Sequence, residues 1–226
     1  MARVFTFFLL VFFLLSSCIE LIDDLTIHND GSGTFKYIIN LSSSKIKVNS
    51  ILALDSLDGK KVPSMGEIKS KINTFAATLR GQEGISNVEL TINDVDLIIK
   101  LSFDFKSISN LQNGLKVAII ASSNRTNSEE LNQNWLSWDG KILKRTIPLL
   151  SLTISDQLKE TDLDLLKSGS YTSINRFDRP IEKVEKMNSK INPSRTASML
   201  KVNTYDLQKN YSLIDNCIYL TPLKNK

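Results

Sequence analysis

The chain has 226 residues, of which 42% are hydrophobic and 23% charged, the composition of a globular protein with an apolar core. Its 28 basic and 24 acidic residues are scattered along the sequence, which argues against a nucleic-acid-binding protein. With one histidine and two cysteines the chain cannot assemble a tetrahedral Cys/His zinc site, and we expect neither a metal nor another cofactor.

The first eighteen residues have the pattern of a secretory signal. Arg3 supplies a positive charge, and Val4 to Leu15 is a nearly unbroken apolar run. A run of about a dozen apolar residues is shorter than the ~20 that a membrane-spanning helix requires. Small residues follow it, as they do at signal cleavage sites. A short anchor helix that stays in place is the alternative interpretation.

The end of this signal, Leu15-Ser16-Ser17-Cys18, resembles the lipobox of bacterial lipoproteins. In that family the chain is cut before the cysteine, whose sulfur receives a diacylglycerol. The resemblance implies a signal peptide of residues 1–17 and a membrane anchor of fatty acyl chains, such as palmitate, on Cys18. Two acyl chains on one residue are sufficient for stable anchoring. The implied location is the cell envelope, at the outer membrane of a Gram-negative bacterium.

Cleavage before Cys18 would leave about 209 residues, enough for one large domain or two small ones. Cys217 would then be the only free cysteine, and its apolar neighbours predict a buried structural thiol. An acidic cluster of Glu20, Asp23 and Asp24 follows the anchor. We interpret this cluster as a solvated tether, with an export or sorting signal as the alternative.

The N-terminal half, residues 18–122, is predicted to be an α+β domain. Alternating apolar and polar residues predict antiparallel strands on both sides of turns at Asp30-Gly31 and Asn93-Asp94. Helices are predicted over residues 42–57, 64–81 and 109–118. The second begins with a capping box formed by Ser64 and Glu67. This order predicts a four-stranded antiparallel sheet with helices packed on its apolar face.

The polar segment 123–134 is predicted to be a loop or a domain boundary. A smaller β-rich part, residues 135–226, follows it, with a hairpin at Asp139-Gly140. Further strands are predicted near residues 181–184, 197–202 and 213–220, whereas residues 147–168 are ambiguous. The alternative to two separate parts is a single sheet that continues through both halves.

The tryptophans of this hairpin, Trp135 and Trp138, are three residues apart and should point to opposite faces of a strand. At least one of them should therefore be partly exposed. We interpret the pair as a candidate binding surface, with packing at the rim of the core as the alternative.

The sequence lacks the motifs of the common enzyme classes. Nucleophilic catalysis needs a base within reach of the nucleophile, and His28 lies outside any serine- or cysteine-centred motif. Paired carboxylates could hydrolyse glycans, and such pairs occur at Asp94/Asp96, Glu129/Glu130 and Asp162/Asp164. These pairs lie in turns or on solvated faces, so we expect a protein that is not an enzyme.

The chain also resembles small uncharacterised lipoproteins of Bacteroidetes-type bacteria in its lipobox and in three segments, Asn29 to Gly33, Gly84 to Val88 and Arg176 to Ile181. More distantly, the strand with Asp-Gly-Ser-Gly after the lipidated cysteine and a late strand that runs into a proline-containing turn resemble the LppM-type envelope lipoprotein domain. The resemblance implies an α+β module at the envelope with a lipid or glycolipid pocket. The expected function is non-catalytic binding of a lipid, a glycan or an envelope protein. The alternatives are a scaffold with no ligand pocket and a carboxylate-dependent glycan hydrolase.

Overall fold

The computed structural model describes residues 19–57, 59–123, 133–146 and 166–223, which form a mixed α+β fold. A seven-stranded sheet consists, in spatial order, of β11 (Lys190–Ile191), β12 (Ala197–Asn203), β9 (Ser170–Phe177), β1 (Glu20–Ile27), β2 (Gly33–Asn40), β6 (Ile98–Phe105) and β5 (Ile85–Asn93). A four-stranded antiparallel sheet consists of β10 (Ile181–Val184), β13 (Asn216–Leu220), β8 (Ile142–Arg145) and β7 (Leu136–Trp138).

The described helices are α1 (Lys45–Leu52), α2 (Met65–Arg80), α3 (Ile108–Ser122) and α4 (Thr204–Lys209). Two 3-10 turns cover Ser42–Ser44 and Tyr211–Ile214, and β3 (Ser56–Leu57) pairs with β4 (Lys60–Lys61). The helix predicted over residues 42–57 is therefore wrong in extent. No residue of α1 is buried, so tertiary packing does not extend this helix.

The two N-terminal hairpins are confirmed. Strands β1 and β2 pair with Leu25 opposite Phe35, and Gly31 has a φ of +85° in the turn between them. Strands β5 and β6 pair around the turn at residues 94–97. The predicted four antiparallel strands are β1, β2, β6 and β5. In the full sheet, β9, β12 and β11 follow on the β1 side.

The predicted start of α2 is also confirmed. The Ser64 Oγ accepts a hydrogen bond from the Glu67 amide at 3.2 Å, and the Glu67 carboxylate accepts one from the Ser64 amide at 2.7 Å. This capping box supplies partners for amides at the helix start. Helices α2 and α3 pack against each other and against the β5–β6 side of the sheet, on one face of it, as predicted.

Strand β1 pairs in parallel with β9, so that Leu21 lies opposite Tyr171. One sheet thus takes strands from both predicted parts of the chain, as in the continuous arrangement given above as the alternative. The four-stranded sheet, by contrast, uses only strands from the C-terminal part. The predicted boundary at 123–134 lies almost wholly outside the described residues.

Two apolar clusters form the core. The main cluster lies between the large sheet, helices α2 and α3, and the small sheet, and it includes Leu25, Phe103, Leu111, Leu143 and Ile218. The second cluster consists of Leu21, Tyr171, Leu200, Leu207 and Ile214. Both clusters lie on the same face of the large sheet. Burial alternates along β1 and β9, and the alternating buried side chains of each strand, which supply both clusters, point to that face.

Candidate functional site

A band of buried polar side chains separates the two apolar clusters. On β1, Asp23 lies between Leu21 of the second cluster and Leu25 of the main cluster. On β9, two polar residues occupy the same position between Tyr171 and Phe177. We call this band the polar layer; it consists of Asp23, Tyr37, Arg145, Ser173, Asn175 and Ser198.

Strand register brings five of these side chains together. Asp23 lies opposite Tyr37 on β2 and opposite Ser173 on β9. Two residues further along β9, Asn175 lies opposite Ser198 on β12. Residues directly opposite each other in a sheet have Cβ atoms about 4.5–5.5 Å apart. The layer therefore runs across four neighbouring strands of the large sheet, on its inner face.

Arg145 reaches the layer from β8 of the small sheet. Its Nη2 donates a hydrogen bond to Asp23 Oδ2 at 2.5 Å and to the Tyr171 hydroxyl at 2.9 Å. The side chains of Arg145 and Asp23 are 7% and 2% exposed, which makes this a buried ion pair. The stability of the fold depends on both partners of such a pair, because either charge alone would be buried without compensation.

Burial dominates the titration of the acidic groups in the layer. Removal of the Asp23 carboxyl from water raises its pKa, against the lowering effect of the Arg145 charge and of hydrogen bonding. Burial also raises the pKa of the Tyr37 hydroxyl, with a further contribution from the Asp23 charge. The Tyr37 hydroxyl is therefore neutral at physiological pH.

Several polar atoms of the layer have no hydrogen-bond partner within the described part of the chain. They are Asp23 Oδ1, the Tyr37 hydroxyl, Arg145 Nε and Nη1, Asn175 Oδ1 and Ser198 Oγ. Roughly 90% or more of buried polar groups in proteins are hydrogen-bonded, so a concentration of such atoms in one band is unusual. The layer can donate to and accept from a polar group placed between the sheets.

The outer face of the same strands carries an ordinary surface ion pair. Arg176 Nε donates to Asp24 Oδ1 at 2.8 Å, and these side chains are 49% and 21% exposed. Hydrogen bonding to Asp24 raises the pKa of Arg176. Asp23 and Asp24 are adjacent in β1 and thus lie in opposite environments, which corrects the interpretation of the acidic cluster as a solvated tether.

The structure separates the two predicted tryptophans. Trp135 is 4% exposed and belongs to the main apolar cluster, with the Lys116 ammonium 5.0 Å above its ring. Trp138 is half-buried and stacks on Phe177 with ring centroids 6.1 Å apart. Trp138 is thus the member of the pair that is partly exposed, as the spacing predicts, and its role in binding stays a prediction.

The other predicted site residues lie elsewhere or outside the described ranges. Cys18 is outside them, as are the pairs Glu129/Glu130 and Asp162/Asp164. Asp94 pairs with Lys69, and Asp96 binds Asn93 in the exposed β5–β6 turn. Cys217 is buried, as predicted.

Sequence reasoning missed β9 and the whole polar layer. Hydrophobic alternation identifies a strand by apolar residues on its inward face, and the inward positions of β9 include Ser173 and Asn175. The first residues of β1 were missed for the same reason, because the inward position at residue 23 is the polar Asp23. The remaining signal was the enrichment of Tyr, Thr and Ile between Tyr171 and Ile174, residues that favour strands.

The described residues show neither a membrane-spanning helix nor a cluster of metal ligands. They contain no helix both long and apolar enough to cross a membrane. They also contain no group of three or more His, Cys, Asp or Glu side chains placed to hold a metal ion.

Comparison with known proteins identifies one structural neighbour. No protein-family model matches the chain, and no curated protein matches it. Among solved structures the chain is similar to the folded domain of the Mycobacterium tuberculosis protein LppM, determined by NMR. The two share 12% sequence identity over 92% of each chain, with a TM-score of 0.42. The resemblance to Bacteroidetes-type lipoproteins finds no support in these comparisons, and similarity at this level assigns neither a family nor an activity to the chain.

Proposed function

We propose that the protein is a lipid-anchored, non-catalytic binding module of the cell envelope. Its ligand is a small molecule or head group rich in hydroxyls, such as a sugar or the polyol head group of a lipid, bound in the polar layer. The observation that carries this proposal is a band of buried polar atoms, between two apolar clusters, that have no hydrogen-bond partner among the described residues. The membrane location rests on the signal pattern that ends at Cys18.

The chemistry of the layer favours a hydroxyl-rich ligand. Arg145 offers N–H donors, Asp23 and Asn175 offer carbonyl-type acceptors, and Tyr37 and Ser198 offer hydroxyls. Hydroxyl groups both donate and accept, so a polyol can satisfy donors and acceptors that alternate over short distances. The Asp23 charge offsets the Arg145 charge, which removes the electrostatic preference for a strongly anionic ligand.

The energetic cost of these buried groups supports a role in binding. A buried polar group without a partner costs about 1–3 kcal/mol. Apolar residues at the positions of Asn175 and Ser198 would continue the core between the two clusters at no such cost. The layer contains no histidine or cysteine, and its carboxylate is engaged by Arg145. These features support binding rather than nucleophilic catalysis.

Native mass spectrometry tests the proposal. The protein is purified from its own envelope under non-denaturing conditions and stripped of its anchor. We expect a small molecule to remain bound to the native protein and to the matched control Arg176→Gln, which changes the outer face of β9. The bound molecule should be lost from Asn175→Leu, which removes the amide and leaves the Asp23–Arg145 pair in place.

The other outcomes identify the competing functions. Consistent absence of any bound molecule, with all variants folded, would favour a scaffold whose polar layer is purely structural. Retention of a protein instead of a small molecule would favour an adaptor. Glycan hydrolysis that disappeared in Asp94→Asn or Asp164→Asn would require the non-catalytic proposal to be abandoned.

A further inference from the structure

One end of the large sheet lies next to the predicted lipid attachment site. At this end β1 begins at Glu20, β2 ends at Asn40 opposite it, and β6 begins at Ile98. On the other side of β1, β9 begins at Ser170 and β12 ends at Asn203. We call this the proximal end.

The fold holds the chain to within one residue of the anchor. The Ile19 carbonyl accepts a hydrogen bond from the Ser170 amide at 2.7 Å, so Ile19 is part of the sheet. Cys18 directly precedes Ile19, and consecutive Cα atoms are about 3.8 Å apart. Acyl chains on Cys18 would therefore start at the proximal end, with no linker to separate that end from the lipid.

Exposed apolar side chains lie on the segments that leave the sheet at this end. Val95, in the β5–β6 turn, is 70% exposed, and Ile46, at the start of α1, is 87% exposed. The two segments are tied together, since the Leu41 amide donates to the Leu97 carbonyl at 3.0 Å. Lys45 and Lys47 flank Ile46 in the sequence.

An aromatic residue flanked by lysines lies on the other side of the same end. Tyr205 is in α4, which follows directly from the end of β12. The ammonium groups of Lys209 and Lys167 lie 4.0 Å and 6.0 Å from the centre of its ring. Tyrosine is enriched at membrane–water interfaces, and lysines near the surface are attracted to anionic head groups.

We propose that the proximal end lies in the head-group region of the bilayer, with Ile46 and Val95 inserted and Tyr205 at the level of the head groups. This inference rests on the lipid anchor of the proposed function. The long axis of β1 then points away from the membrane. The opposite end of the sheet, at the β1–β2 turn, carries the exposed polar residues His28, Asn29 and Asp30 and faces the aqueous side.

Site-specific fluorescence on vesicles tests this orientation. The full lipidated protein is reconstituted in vesicles of phosphatidylethanolamine and phosphatidylglycerol. A fluorophore is attached at Ile46→Cys, at Val95→Cys or at the control Asn29→Cys, each in a Cys217→Ala background. All three positions are exposed, so the labels should leave the fold unchanged. Lipids with a nitroxide on the head group should quench the first two probes and leave the Asn29→Cys probe unquenched.

Two controls separate the inference from the anchor on which it rests. Mass spectrometry of the N-terminal peptide and vesicle flotation report lipidation directly. Absence of acyl chains on Cys18 would overturn the anchor and the inference together. Flotation of the lipidated protein with equal quenching at all three positions, or with none at Ile46→Cys and Val95→Cys, would overturn the orientation alone. Loss of the quenching in a labelled Ile46→Cys protein that also carries Val95→Asp would support it.

Discussion

Arg145 and Asp23 lie 122 residues apart in the sequence and form a buried ion pair that joins the small sheet to the large one. Arg145 ends β8, and Asp23 is in the middle of β1. Each side chain also has polar atoms without a partner in the described ranges. The pair therefore contributes both to the stability of the two-sheet fold and to the polar layer that we propose as the binding site.

Removal of Arg145 should destabilise the protein far more than removal of Arg176, the surface arginine on the outer face of β9. Arg145→Met leaves the Asp23 carboxyl buried without its counterion, which is expected to lower the free energy of unfolding by about 3–5 kcal/mol. Arg176→Met breaks the exposed pair with Asp24, which is expected to lower it by about 0–1 kcal/mol. Urea denaturation of both variants measures the difference.

The double variant Asp23→Leu/Arg145→Met separates stability from binding. Removal of both charges should recover most of the stability lost in Arg145→Met, because no uncompensated charge remains in the core. The double variant should nevertheless lose the ligand, since the Arg145 donors and the Asp23 acceptor of the layer are gone. An Arg145→Met protein as stable as Arg176→Met would show that the ion pair is not buried as described.

The stability of the protein should depend on pH through the titration of Asp23. Its pKa is raised in the folded protein, so the folded state keeps a proton that the unfolded state releases. The contribution of Asp23 to stability therefore falls as pH rises from its unfolded pKa of about 3.8 through the raised folded value. Compared with Asp23→Asn, the native protein should lose stability over this range.

Urea denaturation between about pH 4 and pH 8 measures this effect, with Asp24→Asn as the control on the outer face. Only the slope of the difference with pH is informative, because Asp23→Asn also leaves Arg145 without its counterion. A stability difference between native protein and Asp23→Asn that stayed constant with pH would contradict the raised pKa.

Cleavage between the two predicted parts should not separate them. Strand β1 of the N-terminal part pairs along its whole length with β9 of the C-terminal part. A chain cut by an inserted protease site within residues 123–134 should therefore elute from a sizing column as one species. The fragments should separate only in denaturant. Separation under native conditions would instead support two independent domains.

Two glycines should respond in opposite ways to a methyl group. At Gly33 a Cβ would overlap the backbone carbonyl of Thr26 and approach the Phe105 ring to 2.6 Å. Gly33→Ala should lower the free energy of unfolding by about 1–3 kcal/mol, because neither neighbour can move away easily. Gly66 lies in the first turn of α2, where the nearest atom is 3.8 Å away. Gly66→Ala should raise stability by about 0.5–1 kcal/mol. Thermal or urea unfolding of the pair tests both signs.

The anchor makes a prediction in cells. Globomycin, which blocks the lipoprotein signal peptidase, should cause an uncut precursor to accumulate, visible as a slower band on a gel. The native protein should partition with membranes, and Cys18→Ala should not mature. Normal processing of Cys18→Ala, or recovery of the native protein in the soluble fraction, would refute lipidation.

The sequence by itself determined the elements whose signals are local. The hairpin at Asp30-Gly31 and the capping box of Ser64 and Glu67 lie where predicted, because turn and cap chemistry involve residues within a few positions of each other. The α+β class followed from the order of these elements. The signal pattern that ends at Cys18 is equally local, and it is the basis of the proposed location.

Only the tertiary structure decided which strands meet and which side chains are buried. The parallel pairing of β1 with β9 joins residues as distant as Glu20 and Ser170, and no local pattern specifies such a partner. Polar residues at inward positions, such as Asp23 and Asn175, are read from sequence as exposed, because burial of a polar group is unfavourable unless other parts of the fold compensate it. Arg145 provides that compensation for Asp23 from a different sheet, and the candidate site depends on this long-range contact.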